Sequence, residues 1–309
     1  MRSYTYVFGS TGYIGSELIK SLKSDPHLDP IICFIHHRLP SPDMEGIRCI
    51  PMKITEIDEP FLNKFSPSNI YHLARFGASK PMLRHLSSNR GYTANQGLLN
   101  LLEKMDRKIS IHYVSGSLMY GNVSAPIDES ATLSPTGFAV PYFKGESPFL
   151  SKGKPKISIH MYRPGWILGP DSWFKQFFWN PYLKTNKVPF YGSGDQQMSI
   201  ISLADCARLI NHGSRELATD EDLNIVGYNH ISQREFSELI ANQLNTTTTQ
   251  VKEVEMKNSL DAHTIEALLS NTPLKSARTN VYANFSLKDN SLNNLIKETI
   301  HALSSSSKS

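Results

Sequence analysis

"FGSTGYIG", residues 8–15, limits what this chain can become more than any other stretch. It follows a short β-branched and aromatic run, "YTYVFG" (4–9), and leads into helical spacing of Ile14, Leu18, Ile19 and Leu22. Glycines at 9, 12 and 15 between a strand and a helix meet three separate needs. Gly9 allows a tight turn, Gly12 lets backbone approach a pyrophosphate, and Gly15 lets helix and strand pack closely. The first turn of the helix offers N–H groups and a positive dipole end to phosphates. Gly9, Thr11, Gly12, Tyr13, Ile14 and Gly15 are therefore the candidate phosphate cradle. A glycine-rich turn with no ligand is the competing reading.

Strand and helix patterns alternate beyond the loop. "PIICFIHH" (30–37), "GIRCIPM" (46–52), "NIYHLA" (69–74), "ISIHYVS" (109–115) and "KISIHMYR" (156–163) read as strands, and "NQGLLNLLEKM" (95–105) as the end of a long helix. The apolar continuity of 30–37 suits a strand covered on both faces. This alternation predicts an α/β fold with a doubly wound parallel Rossmann sheet and a small C-terminal α/β substrate lobe. The rhythm breaks at 166–195, which is rich in aromatics and proline. Residues 1–165 plus about 196–226 are assigned to the dinucleotide-binding domain. About 166–195 plus 227–303 form the substrate lobe, and 304–309 a frayed tail.

The end of the second strand bears on which dinucleotide is held. An acidic residue there would bind the ribose hydroxyl of NAD, but the sequence has His36, His37 and Arg38. A cation suits the 2′-phosphate, so His37 and Arg38 point to NADP in preference to NAD. A solvated basic turn is the alternative.

Other features exclude functions. With a net charge of +4 and no basic run longer than three residues, nucleic-acid binding is not expected. The three cysteines, Cys33, Cys49 and Cys206, form no C-x-x-C pair and read as free thiols of a reducing compartment. No apolar run approaches the ~18 residues of a membrane helix. "MRSYTYVFG" enters strand character without a basic region and apolar stretch before it, so no leader and a cytoplasmic location are expected. No metal site is expected.

Further landmarks carry a resemblance. "IYHLA", "TANQGLLNLLE", "YVSGSLMYG", "YRPGWILGP", "YGSGDQQMSIISLADCARLI" and "NIVGYNHISQREFSELIA" occur in order from the first strand to about residue 245. Together with the glycine loop they resemble the extended short-chain dehydrogenase/reductase family, the NAD-dependent epimerases and dehydratases. The resemblance implies a nicotinamide cofactor, with Leu73, Ala74 and Asn95 at cofactor-binding positions, and a small-molecule substrate. It also implies a homodimer through the helices that contain Asn95 and the catalytic pair.

The catalytic signature departs from that family. In the family, a Ser or Thr four residues before the Tyr of "YG" polarises the substrate oxygen; here that place is Gly116, flanked by Ser115 and Ser117. The family's Tyr-x-x-x-Lys pair is followed four residues later by Glu. Counting back from Glu146 gives Tyr142 at the Lys place and Phe138 at the Tyr place. None of the 13 tyrosines has Lys at the fourth position after it, so no other register restores the pair. That Lys normally lowers a phenol's pKa from near 10 for proton transfer, and Phe138 can transfer none. Pro141 is expected to disturb the start of this helix. Tyr142, Ser115, Ser117 and Tyr120 remain as candidate catalytic groups, with His112 more readily a packed residue.

The three tryptophans, Trp166, Trp173 and Trp179, fall between residues 166 and 179 with Phe174, Phe177 and Phe178 among them. By resemblance, Trp166 stands where an Asn often contacts a sugar, and Met198 where an Arg often grips a nucleotide-sugar diphosphate. Trp166, Trp173, Phe177 and Met198 are the candidate substrate residues and favour an apolar or planar ligand. The alternative is that the aromatics simply seal the lobe. Three functions stay open. One is a biosynthetic enzyme with an altered constellation, catalysing reduction or a non-redox elimination, isomerisation or cyclisation. The others are an inactive dinucleotide-binding regulator and a nucleotide-sugar epimerase or reductase.

Overall fold

The computed structural model describes residues 2–36, 44–76, 81–289 and 291–306. The chain begins with β1 (Tyr4–Phe8), α1 (Tyr13–Lys23), β2 (Ile31–Ile35), β3 (Arg48–Pro51), α2 (Glu59–Lys64), β4 (Pro67–His72), α3 (Pro81–Glu103), β5 (Ile109–Val114), α4 (Ala139–Glu146) and β6 (Ile157–Pro164). It continues with β7 (Trp166–Leu168), α5 (Asn180–Thr185), β8 (Lys187–Tyr191), β9 (Gln197–Ser202), α6 (Leu203–Glu216), β10 (Leu223–Ile225), β11 (Tyr228–Ser232) and α7 (Gln233–Gln243). Last come β12 (Thr247–Val251), α8 (Glu253–Met256), α9 (Ala262–Leu269), α10 (Thr279–Ala283) and α11 (Leu292–Ser306).

Seven of these strands form one parallel sheet in the order β3-β2-β1-β4-β5-β6-β10. The strands alternate their side chains between two cores, as a sheet covered on both faces must. Tyr6, Phe8, Ile32, Phe34, Ile70, Ile111 and Ile159 pack under α2 and α3 with Leu62, Leu98 and Leu102. Val7, Cys33, Tyr71, Val114 and Tyr162 face the other way, onto Leu18, Ile19 and Leu22 of α1 and Leu209 and Ile210 of α6. The strand order reverses direction between β1 and β4, and in open α/β sheets a ligand crevice lies beyond the carboxyl ends at such a point.

The C-terminal lobe is built from two small sheets, β7-β9-β11 and β8-β12, packed with α7 and α11. Its core includes Phe174, Phe178, Trp179, Phe236, Met256 and Ile296. The wide turn of a π-helix at Lys175–Trp179 runs directly into α5. Met198 and Ile200 of β9 lie in this core, whereas α6 and β10 pack on and extend the large sheet. Among the described residues, no helix is long and apolar enough to cross a membrane.

Candidate active site

A cleft of ≈ 1090 Å³ runs along the carboxyl ends of the parallel strands. It is lined by the ends of β1, β2, β4, β5 and β6 and closed on the lobe side by Trp166, Ile167, Asp171, Ser172 and Trp173. Its volume slightly exceeds the ~300–1,000 Å³ usual for one small-molecule site.

The glycine loop forms one end of the cleft. Gly9 adopts φ +81°, and a Cβ on it would lie 2.7 Å from the Leu73 carbonyl carbon. A Cβ on Gly15 would come within 2.0 Å of the Gly9 carbonyl oxygen, so no other residue fits there. α1 starts at Gly12 with no side-chain cap and no acidic residue in its first turn. Its leading N–H groups are thus left to whatever occupies the cleft. Thr11, Gly12, Tyr13, Ile14, Leu73 and Ala74 all line this end. Tyr13 is held by packing, and burial pushes its phenol well above the ordinary value.

Exposed His36 and Lys53 line the cleft together with Phe34, Met52 and Ile54 at the ends of β2 and β3. Lys53 also pairs with Glu56 at 3.7 Å. His37 and Arg38, the cations expected to select NADP, lie outside the described residues. Asn95 does not line this cleft. It is buried in α3, where its amide donates to the Gly145 carbonyl at 2.7 Å and its oxygen meets His72 Nε2 at 2.9 Å. It joins α3 to α4 and to the sheet.

α4 carries the stretch in which the sequence resemblance leads one to expect the catalytic pair. Its first residue is Ala139, directly after Phe138 and after Gly137 at φ +54°. Pro141 therefore falls in the first turn, where the missing N–H has no intrahelical partner to lose, and the helix forms around it. Phe138 and Tyr142, four residues apart on one face, both line the cleft. Tyr142 is half-buried, and the Arg75 guanidinium lies over its ring at 5.4 Å.

The other candidate hydroxyls differ in surroundings. Ser117, at the start of a 3-10 turn after β5, lines the cleft. Ser115 also borders it but is tied down: its hydroxyl donates to Glu146 at 2.6 Å, and its carbonyl accepts from Arg75 at 2.8 Å. Burial pushes the Glu146 carboxyl above its ordinary value, opposed by the Ser115 hydroxyl and by Arg163 and Arg75. Tyr120 lies behind the cleft, 2% exposed, and its hydroxyl donates to Asn224 Oδ1 at 2.7 Å. Burial pushes its phenol up to about 12 despite the Arg163 guanidinium over the ring. His112 is fully buried inside the sheet, stacked on Tyr71 at 4.8 Å and on His160 at 5.2 Å.

The aromatic segment divides in the same way. Trp166 and Trp173 meet edge to face at 4.8 Å and both border the cleft. Phe177 is turned to the lobe, its carbonyl accepting from Tyr191, and Met198 is buried in the lobe core. Arg75, Arg90 and Asp171 are cleft residues that sequence reasoning did not single out. Arg75 directly follows the "HLA" strand end, and a charge at that point was the available signal.

The seven-stranded parallel sheet with a cleft at its carboxyl ends is a Rossmann-like fold. Residues 5–144 match the model of the NAD dependent epimerase/dehydratase family. No curated protein matches the sequence significantly. Among solved structures, the chain is similar to UDP-glucuronic acid 4-epimerase from Bacillus cereus in complex with UDP-glucuronic acid and NAD, at 18% identity and TM-score 0.74, covering 98% of this chain and 99% of that one. It is also similar to UDP-N-acetylglucosamine 4-epimerase from Methanobrevibacter ruminantium M1, at 18% identity and TM-score 0.74, with 99% and 100% covered. A third is dTDP-glucose 4,6-dehydratase from Bacillus anthracis in complex with NAD, at 16% identity and TM-score 0.73, with 99% and 98% covered. The family match is confined to residues 5–144, and the likeness to the solved structures is one of fold over the whole length.

Proposed function

We propose that the protein binds a nicotinamide dinucleotide, NADP in preference to NAD, and is an enzyme acting on an apolar or aromatic small molecule through an altered catalytic set. The observation that carries this reading is the uncapped α1 N-terminus opening into a cleft whose far wall is Trp166 and Trp173. The residues fit such a cofactor, since the Gly9–Gly15 loop is a cradle that a Cβ would fill. Thr11, Gly12, Tyr13 and Ile14 would hold the pyrophosphate, with Leu73 and Ala74 beside it. His36 and Lys53 favour a 2′-phosphate, as do His37 and Arg38 in the sequence. When bound, the nicotinamide would exchange a hydride with the substrate.

The chain's own groups set the rest of the chemistry. Phe138 moves no proton, so Tyr142 is the acid or base and Ser117 the donor to a substrate oxygen. Ser115 is a positioning residue that fixes the end of β5 against Glu146. The aromatic wall binds a planar substrate and excludes water. Homodimerisation through α3 and α4 belongs to the same reading, because these helices expose Leu86, Tyr92 and Val140. Fluorescence titration with NADPH and NADH tests the cofactor: NADPH should bind at least tenfold more tightly, and the reading fails if neither binds at millimolar concentration.

A nucleotide-sugar substrate is the second reading. It is favoured by the near end-to-end fold similarity to UDP-glucuronic acid 4-epimerase, UDP-N-acetylglucosamine 4-epimerase and dTDP-glucose 4,6-dehydratase. Calorimetry with UDP-glucose separates the two, since the first reading expects no binding.

A further inference from the structure

The gap left by the catalytic hydroxyl at position 116 is not empty space. A Cβ placed on Gly116 would lie 3.5 Å from one terminal nitrogen of Arg75 and meets no other heavy atom within 4 Å. The guanidinium thus stands beside the point where a Ser or Thr side chain would begin. It is clamped from two sides, by its 2.8 Å hydrogen bond to the Ser115 carbonyl and by the Tyr142 ring. Both Arg75 and Tyr142 line the cleft, as does Arg90 on α3.

Arg75 forms no ion pair among the described residues. The Glu146 carboxyl, which Arg75 acts on electrostatically, is 1% exposed and already engaged by the Ser115 hydroxyl. A guanidinium presents five donors in a planar fork, and one carbonyl bond leaves most of that fork to the cleft. Asp171, the acid that lines the cleft, lies on the opposite, lobe side with Trp173.

We infer that Arg75 is the substrate-anchoring residue of this cleft, and that the substrate carries a carboxylate which docks on its guanidinium between Gly116 and Tyr142. The inference rests on the reading of the cleft as a substrate site and deepens it. The ligand is an aromatic or otherwise apolar acid: its planar body packs against Trp166 and Trp173 and its carboxylate meets the one clamped cation beside Tyr142. Gly116, having no side chain, leaves room for the carboxylate beside Arg75. A carboxylate takes a guanidinium in bidentate geometry, whereas a neutral amide offers a single oxygen and no charge.

The test uses matched acid and neutral pairs on the full chain in the presence of saturating NADPH: cinnamate and cinnamamide, and indole-3-acetate and indole-3-acetamide. Equilibrium dialysis gives each affinity, and quenching of tryptophan emission reports arrival at the cleft. The acid of at least one pair should bind at least ~10-fold more tightly than its neutral partner, and Arg75→Gln should abolish that preference while leaving NADPH affinity unchanged. Gly116→Val, which leaves every charge in place but fills the docking space, should also abolish it, so the test stands even if Arg75→Gln folds poorly. Equal retention of acids and neutrals, retention of neither, or acid preference that survives both substitutions would overturn the inference. A drop in NADPH affinity in Arg75→Gln with acid preference intact would instead make Arg75 a cofactor ligand and also overturn it. If NADPH fails to bind while acid preference persists, the cofactor reading fails and the substrate anchor stands.

Discussion

The two ends of the cleft have been held to different standards. At the β1–α1 end, each glycine meets a steric demand that no other residue could, and the helix start is left uncapped. At the β5–α4 end the cleft is lined by Phe138, Tyr142 and Gly116, at the places where the sequence resemblance leads one to expect Tyr, Lys and Ser or Thr. Backbone geometry is therefore separable from chemistry in this fold. Asn95, Ser115 and Glu146 brace α3, α4 and β5 at this end.

The sharpest contrast between the two ends should appear in acid. The buried imidazoles lie on β4, β5 and β6, beneath the altered end: His72 and His112 are fully buried and His160 nearly so. Burial holds the His72 ring down to about 4 and the His112 ring well below its ordinary value, the latter helped by His160. A folded-state value below the unfolded one means that the unfolded chain takes up protons first. The stabilisation is present above about pH 6.5 and is lost as pH falls, at ~1.4 kcal/mol per unit for each neutral buried ring. His72 alone should remove roughly 2 kcal/mol by pH 5, and His112 should add to that loss. Chemical denaturation between pH 7.5 and 5 checks this. A flat profile would break the idea that this end rests on neutral histidines.

Gly15→Ala comes next and attacks the other end. The added methyl would meet the Gly9 carbonyl oxygen, which belongs to the backbone and cannot step aside. A loss of about 3 kcal/mol is expected, with NADPH binding weakened at least tenfold. Thermal unfolding and fluorescence titration measure both, and a variant of native stability would mean that the loop does not need its close contact.

How readable these ends were in the sequence follows from the range of the forces involved. The glycine loop is a problem of local sterics within eight residues, so its spacing could be read directly. The sheet followed from apolar runs whose period is intrinsic to a strand. Side-chain direction at the irregular segments could not be read that way. The aromatic cluster was visible, but the π-helical turn at Lys175–Trp179 breaks any simple periodicity, and only packing sends Trp173 to the cleft and Phe177 toward Tyr191. Ser115 and Ser117 flank Gly116, yet only the distant Glu146 distinguishes the bound hydroxyl from the one left to the cleft. Arg75 was overlooked because its role depends on three residues remote in sequence: Ser115, Gly116 and Tyr142.

Tyr142→Phe tests whether the altered end still performs chemistry. If its phenol moves the proton, kcat/KM should fall about 10²-fold with unchanged NADPH affinity and unchanged stability. Steady-state kinetics on any turned-over substrate gives the answer, and full activity would remove Tyr142 from the mechanism.

Tyr120→Phe should show the smallest effect and makes the finest distinction, because it removes the same hydroxyl from a tyrosine that sequence reasoning held to be a weaker candidate than Tyr142. The Tyr120 phenol is spent on Asn224 Oδ1, and the same Asn224 holds Lys275 through its amide and Glu129 through its backbone N–H. Removing the hydroxyl leaves a buried carbonyl oxygen without its donor, which costs about 1–2 kcal/mol. Catalytic and NADPH-binding parameters should stay within twofold of the parent, because the side chain lies behind the cleft and its phenol does not ionise near neutral pH. A kinetic loss as large as that of Tyr142→Phe, at unchanged stability, would move the proton-transfer group out of α4 and back to the end of β5. A loss confined to stability would leave the two tyrosines divided as their surroundings divide them.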